Sequence, residues 1–173
     1  KIYCVSEPVR KQVIARFPEL ADRTEVLLNF IDIKQVQRRS EEPLSDPQYT
    51  GELKFLTVGR ASEEKGYDIA VQITAELKKR GLRFKWFIIG DGRDLNKLRT
   101  MAKEYQVEQE IIFLGMRENP APYVKSCDLY LQPSRHEGYP ITIVEARSLQ
   151  KVIIASDIPS MREQIRDGEN GYL

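Results

Sequence analysis

"DLYLQPSRHEGYPITIVEARS", residues 128–148, passes from a strand pattern to a helical one across a single loop. "DLYL" (128–131) is a short apolar run of the kind found in strands covered on both faces. Gly138 and Pro140 set up a turn, and a helical pattern follows over residues 141–149. One strand, one loop and one helix make half of a βαβ unit, so the fold depends on whether the pattern recurs. It does. "LKFLTV" (53–58), "FKWFII" (84–89), "IIFL" (111–114) and "VIIA" (152–155) are further runs rich in β-branched and aromatic residues. Between them, Ile69, Ile73 and Leu77 repeat at four-residue spacing within 67–80, and Gly81 suits the position after a helix end. Leu95, Leu98, Ala102 and Tyr105 form one stripe within 94–106. "NPAPYVKSC" (119–127) carries prolines where a first turn tolerates them. In "PSMREQI", Pro159 opens a helix, and Ser160 with Glu163 resembles a capping box. Strands alternating with helices at this spacing predict right-handed crossovers and an α/β fold, with a parallel sheet and helices on both faces.

The flanking segments read differently. "SEEPLSDPQYTG" (40–51) is polar and proline-bearing, a loop before the first sheet strand. Residues 1–28 read as a short strand, an amphipathic helix near 7–16 and a second strand, "EVLL". They belong either to this domain or to the tail of a preceding one with its linker. The 173 residues are enough for one domain of ordinary size. Such a chain buries about 70% of the surface its unfolded form exposes. The 27 basic and 26 acidic side chains nearly balance, which argues against a nucleic-acid or polybasic membrane role. Cys4 and Cys127 stand far apart, outside any CxxC or Cys/His cluster, so neither a disulfide framework nor a metal site is expected. A reducing, intracellular setting fits them. No apolar run approaches the roughly 20 residues that would span a bilayer. The chain lacks an initiator Met and stops on an apolar pair, and is expected to be a piece of a longer protein.

In a parallel α/β sheet, ligands bind at the carboxyl ends of the strands. The loops there read "GRASEEKGYD", "GDGRD", "GMREN" and "QPSRHEGYP". Gly59, Gly90, Gly92, Gly115 and Gly138 fall in four successive strand-to-helix loops, where glycine allows close approach to a ligand. Arg60 and Lys65 lie in one such loop, the lysine beside Gly66 at a helix start. A guanidinium fork, an ammonium and free backbone N–H groups make a diphosphate seat. On spacing alone a solvated loop, with Glu63 and Glu64 pairing locally, reads slightly better. "GDGRDL" lacks the third glycine of a dinucleotide fingerprint and reads as a tight turn before a helix. His136, the single histidine, has no triad or metal-ligand partners at suitable spacing, and is not expected to act as a base.

Glu137 and Glu145 stand eight positions apart. The first lies on the loop at the strand's carboxyl edge. The second lies one turn into the helix that starts near Ile141, roughly 6 Å along its axis. That helix start offers N–H groups and a positive dipole end to an anion, and carboxylates on either side can accept from hydroxyls. A plain surface role for Glu145 is awkward, because Ile143, Val144 and Ala146 surround it and a buried carboxylate without a partner is costly.

The ordered set "VGRASEEKG" (58–66), "IIGDG" (88–92), "IIFLG" (111–115), "CDLYLQPSRHEGYPITIVEA" (127–146) and "DGENGYL" (167–173) resembles the nucleotide-sugar half of a retaining glycosyltransferase of the GT4 family, with its two Rossmann-like domains in the GT-B arrangement. The resemblance covers about residues 29–173 and implies a Rossmann-like donor-binding domain there, truncated at its C-terminus. Residues 1–28 resemble the tail of the preceding N-terminal domain and the linker. The chain departs at Phe30, where many members carry glycine in an NGID-like turn.

By position, the resemblance implies that Arg60 and Lys65 hold the donor diphosphate and that Glu137 acts on the transferred sugar as an orienting, stabilising group. It implies that Gly138 and the backbone N–H groups near Ile141 and Thr142 meet sugar or phosphate. Glu145 would bind the ribose, and Met116 and Arg117 would lie near the base. It further implies a nucleoside diphosphate sugar as substrate, no required metal or cofactor, and a glycan or lipid-linked acceptor met through an N-terminal domain. Polysaccharide biosynthesis in the cytoplasm, at the inner membrane face, follows from the same likeness. A second possibility from the residues is a nucleotide or nucleotide-sugar binding module without transferase activity. Base, sugar and acceptor are not legible.

Overall fold

The computed structural model describes residues 1–51 and 53–173. Its centre is a five-stranded sheet of β3 (Lys54–Val58), β4 (Lys85–Ile89), β5 (Ile111–Gly115), β6 (Leu129–Gln132) and β7 (Val152–Ala155), in spatial order β5-β4-β3-β6-β7. All neighbours pair in parallel. The chain enters at the middle strand, runs outward to β5, then returns across the sheet to β6. Strand order therefore reverses between β3 and β6, and the crevice of such a sheet lies at that reversal.

Side-chain alternation along each strand divides the core in two. On one face Phe55, Trp86, Ile88 and Leu131 pack against α3 (Tyr67–Lys79) and α4 (Leu95–Glu104) through Ala70, Val71, Leu98 and Ala102. On the other, Leu56, Phe87, Ile89, Tyr130 and Ile153 pack against α5 (Ala121–Ser126), α6 (Ile141–Ser148) and α7 (Pro159–Arg162). The two helix sets sit where right-handed crossovers put them once the direction of travel reverses. Each large apolar side chain buried this way contributes about 2–3 kcal/mol of transfer free energy.

The β3–β6 ladder has only two paired positions, Phe55 with Leu129 and Leu56 with Tyr130. Beyond them the strands part. There the Thr57 hydroxyl, fully buried, donates to the Leu131 carbonyl at 2.6 Å and accepts from Trp86 Nε1 at 2.9 Å. A side chain thus holds the strands together where the backbone ladder stops.

Residues 1–28 form a parallel two-stranded sheet, β1 (Ile2–Cys4) with β2 (Thr24–Val26), bridged by α1 (Glu7–Arg16). Ser6 caps α1 by accepting from Val9 N–H. The expected amphipathic pattern in α1 is not realised: none of its residues falls in the buried class, because the helix is a partly covered strut between this small sheet and α7. The capping box at Ser160 and Glu163 does not form either. Ile158 occupies the N-cap position, and the Glu163 carboxylate accepts instead from the Glu7 N–H at 3.0 Å. A helix not anticipated from sequence, α2 (Ile33–Ser40), is capped by Asp32 accepting from Gln35 N–H at 3.0 Å. The loop expected over 40–51 follows it. That loop is pinned where Asp46 accepts from Arg117 at 2.7 Å and from the Tyr123 hydroxyl at 2.9 Å. Burial opposes ionisation of Asp46, but the bonds from Arg117, the Gln48 N–H and Tyr123 outweigh it and hold its carboxyl below the usual range.

Cys4 and Cys127 are both buried and unpaired, and burial pushes the Cys127 thiol up to about 12. Among the described residues no helix is long and apolar enough to cross a membrane.

Gly66 decides how closely the two crevice loops approach. It has φ +65°, and a Cβ there would lie 2.0 Å from the Pro133 carbonyl oxygen. The Arg135 and His136 N–H groups then donate to the Glu64 carbonyl at 2.8 and 3.2 Å, closing the two loops together. Gly66→Ala is expected to cost about 2–4 kcal/mol in urea unfolding, a backbone clash added to a left-handed conformation; unchanged stability would show that the loops are not so tightly apposed.

Candidate active site

The residues singled out from sequence meet in part. Lys65 ends the single turn Glu63–Lys65 after β3, and Glu137 sits on the loop after β6. Strand reversal places these loops side by side, and Lys65 Nζ pairs with Glu137 Oε1 at 2.6 Å. The Glu137 side chain keeps only 8% of its exposure. Its Oε1 also accepts from Ser134 Oγ at 2.7 Å and Gln132 Nε2 at 3.0 Å. Gln132 and Ser134 are themselves fully buried, so a charged group here rests on a fixed polar floor, as a buried carboxylate must.

Arg60 stands in the same loop as Lys65 and is exposed. Among the described residues it makes no ion pair within 4.0 Å. Glu64 ionises more readily than usual, chiefly through the Ser62 hydroxyl, with the Arg93 and Arg60 charges assisting. The loop itself is rigid: Gly59 N–H donates to Ile89 O at 2.9 Å and Ala61 N–H to Asp91 O at 3.0 Å. The Tyr67 hydroxyl, buried and unpartnered, fills the space a side chain at Gly59 would need, 2.9 Å from that Cβ position. Burial raises its pKa well above normal, and the Tyr130 and Glu137 charges add to the rise.

Helix α6 begins four residues after Glu137. Pro140 precedes it without a side-chain cap, so the first-turn N–H groups of Ile141 and Thr142 take no bond from a capping side chain and carry the positive end of the helix dipole. Ile141 is exposed. Thr142 Oγ1 is buried beside the Tyr130 hydroxyl without a hydrogen bond of good geometry. Gly138 leaves room for Val5 and Val9, whose methyls would lie 3.1 and 3.9 Å from a Cβ at that position.

Glu145 faces a different neighbourhood. It lines a hollow of about 270 Å³ bounded by α2, the start of α5 and α6, with Gln35, Arg39 and Asn119 among the walls. Arg60, Lys65 and Glu137 do not line that hollow. Burial raises the Glu145 pKa above the ordinary carboxylate range, and the Arg39 charge pulls it partly back. Arg39 is held by donating to Glu118 O at 3.1 Å, while Asn119 donates to Arg39 O at 2.9 Å. Helix α2 is thereby fastened to the loop after β5.

Met116 on that loop is 75% exposed. The Arg117 guanidinium is spent on Asp46, Tyr123 and the Leu114 and Met116 carbonyls. Among the described residues no cluster of three or more His, Cys, Asp or Glu side chains is arranged to hold a metal ion.

Sequence reading missed Gln132, Ser134 and the α2 wall. A glutamine closing an otherwise apolar strand, "LYLQ", was the available signal for the first. Nothing local marks α2 as part of a wall, because its partners lie 80 residues onward.

Comparison with known proteins follows the same lines. Residues 39–173 match the family described as glycosyl transferases group 1. An uncharacterized glycosyltransferase of Methanocaldococcus jannaschii is 30% identical over 86% of this chain and 37% of its own length. The lipopolysaccharide 1,6-galactosyltransferase of Salmonella typhimurium is 30% identical over 98% of this chain and 46% of its own. The chain thus spans less than half the length of these relatives. Among solved structures, the lipopolysaccharide outer core galactosyltransferase WaaB superposes with a TM-score of 0.73 at 28% identity, covering 99% of this chain and 47% of that one. Anabaena HepE in complex with UDP and glucose superposes with a TM-score of 0.82 at 20% identity, over 99% of this chain and 48% of that one. The parallel sheet flanked by helices is the fold of GT-B glycosyltransferases, and by sequence the chain belongs to the glycosyl transferases group 1 family.

Proposed function

We propose that this chain is the donor-binding part of a retaining, GT4-type glycosyltransferase. The full protein would move a sugar from a nucleoside diphosphate sugar to a glycan or lipid-linked acceptor in polysaccharide biosynthesis. The observation that carries the proposal is the Lys65–Glu137 pair at the strand reversal, four residues from the uncapped start of α6. In this reading the cation, the carboxylate and the α6 N–H groups together receive the sugar phosphate.

In the proposed reaction the bond between the sugar's anomeric carbon and the diphosphate breaks, and a bond to the acceptor oxygen forms. Negative charge grows on the departing diphosphate. Arg60, Lys65 and the α6 N–H groups of Ile141 and Thr142 stabilise it, a placed electrostatic effect that takes the part a metal ion has in other transferases. Glu137 orients sugar hydroxyls and stabilises positive charge at the reacting ring; it does not serve as a covalent nucleophile. Gly138, having no side chain of its own, brings its backbone to the sugar phosphate while Val5 and Val9 pack behind it. Glu145, in its hollow beside α2, accepts from the ribose diol. Met116 approaches the base, with Arg117 shaping the loop beneath it. The acceptor and its binding surface belong to the remainder of the protein, working in the cytoplasm at the inner membrane face. The 173 residues alone are therefore expected to show no acceptor glycosylation.

Calorimetric titration with UDP, GDP and ADP tests this reading; UDP leads because it occupies HepE, which has the same fold. At least one nucleotide is expected to bind. Arg60→Ala and Lys65→Ala are each expected to weaken it roughly tenfold or more, the scale of a charge-assisted bond to phosphate. Binding of none of the three would sink the proposal.

Glu145→Gln gives a second test. Because burial raises the folded-state pKa of Glu145, its contribution to stability is full below the usual carboxylate range and is lost as pH rises through the raised value. The glutamine variant is expected to be more stable near neutral pH by about 0.5–1.5 kcal/mol, with a flatter stability curve above pH 5, while binding nucleotide more weakly. A variant that loses stability and keeps affinity would remove Glu145 from the ribose role.

A further inference from the structure

Three donors converge on a single atom of Glu137. Lys65 Nζ, Ser134 Oγ and Gln132 Nε2 all reach Oε1, at 2.6, 2.7 and 3.0 Å. Among the described residues no hydrogen bond reaches Oε2. A carboxylate offers about four lone-pair sites over two oxygens, so one oxygen is saturated and the other keeps its full accepting capacity.

The three donors differ in kind. Gln132 and Ser134 are neutral, fully buried and set on the end of β6 and the loop directly after it. The orientation of the Gln132 amide is fixed from both ends: its nitrogen donates to Ser134 and Glu137, and its oxygen faces the Tyr130 hydroxyl at 3.4 Å. Lys65 is an ammonium on a long flexible stem, with its side chain 22% exposed. It is the one partner able to leave Oε1 for a competing anion without moving backbone.

The geometry points to Gln132 and Ser134 as positioning residues that keep Glu137 turned with Oε2 toward the transferred sugar when the donor's diphosphate draws Lys65 away. This inference rests on the proposed donor site and adds to it a division of labour. The lysine is shared between carboxylate and phosphate, while the two neutral donors hold the carboxylate through the exchange. Removing either of them leaves the nucleotide contacts intact and blurs only the sugar contact. A merely structural network would instead lower stability and affect nucleotide and nucleotide-sugar binding alike.

The experiment compares affinities of the chain for UDP, GDP and ADP with those for UDP-glucose, UDP-N-acetylglucosamine, GDP-mannose and ADP-glucose. Wild type, Ser134→Ala, Ser134→Thr and Gln132→Leu are titrated, with thermal unfolding of each. For the nucleotide that binds, Ser134→Ala and Gln132→Leu are expected to leave diphosphate affinity within about twofold. They are expected to lower the ratio of nucleotide-sugar to nucleotide affinity roughly tenfold, the scale of one hydrogen bond to a charged group. Ser134→Thr, which keeps the hydroxyl, is expected to restore the ratio. Should Gln132→Leu fail to fold, the Ser134 pair decides. A parallel loss of both affinities, or an unchanged ratio in a protein that binds nucleotide, overturns the positioning role while leaving the donor site standing. Failure of the wild type to bind any nucleotide or nucleotide sugar overturns both.

Discussion

The approach of Gly66 to the Pro133 carbonyl is the constraint on which the crevice depends. Two loops from strands that are neighbours in space, with paired residues 74 apart in sequence, must touch at their backbones. Only a residue without a Cβ, in a left-handed conformation, permits it. Backbone bonds from Arg135 and His136 to Glu64 then fix the contact, and the Lys65 side chain lands beside Glu137. The ion pair follows from the backbone contact rather than causing it. An ammonium and a carboxylate at the surface would contribute little; here the carboxylate is nearly enclosed and its neutral donors are already in place.

Glu137 and Glu145 live under opposite conditions. Glu137 is supplied with more donors than one oxygen can use. Glu145 is desolvated and has only the distant help of Arg39. The first arrangement is what a carboxylate needs if it must stay in place while its cation is borrowed. The second leaves an acceptor underserved, which costs stability and leaves capacity for hydroxyl groups brought by a ligand. That the first is a sugar contact and the second a ribose contact is the functional proposal.

Much of the architecture was legible from residue pattern. Five apolar runs became five parallel strands at nearly the expected positions, since buried strands have little freedom to be anything but β-branched and aromatic. Helix ends marked by Gly81 and Pro159 fell where local chemistry put them. What failed depended on partners distant in sequence. "IKQVQRRS" (33–40) carries little apolar signal of its own and is helical because it packs on α5 and α6. Glu163 was free to cap its own helix and is taken by the Glu7 amide instead. Arg117, read as near a base, is largely committed to Asp46. The pairing of Lys65 with Glu137 could not be seen from spacing, because it requires strand order to reverse between them. Gln132 and Ser134 could have been noticed, as polar residues in and just after a strand otherwise meant for the core.

The vacancy at Gly138 has a mechanical meaning. Val5 and Val9 occupy it, Asn29 holds the adjoining Tyr139 carbonyl, and the Glu7 amide grips α7 through Glu163. The β1–α1–β2 unit therefore leans on the same turn that carries Glu137. The turn's position is set partly by contacts from outside the central sheet. The turn that carries Glu137 is thus a seam shared by the chain's first residues and the central sheet, and a substitution at Val5 or Val9 reaches it by contact alone.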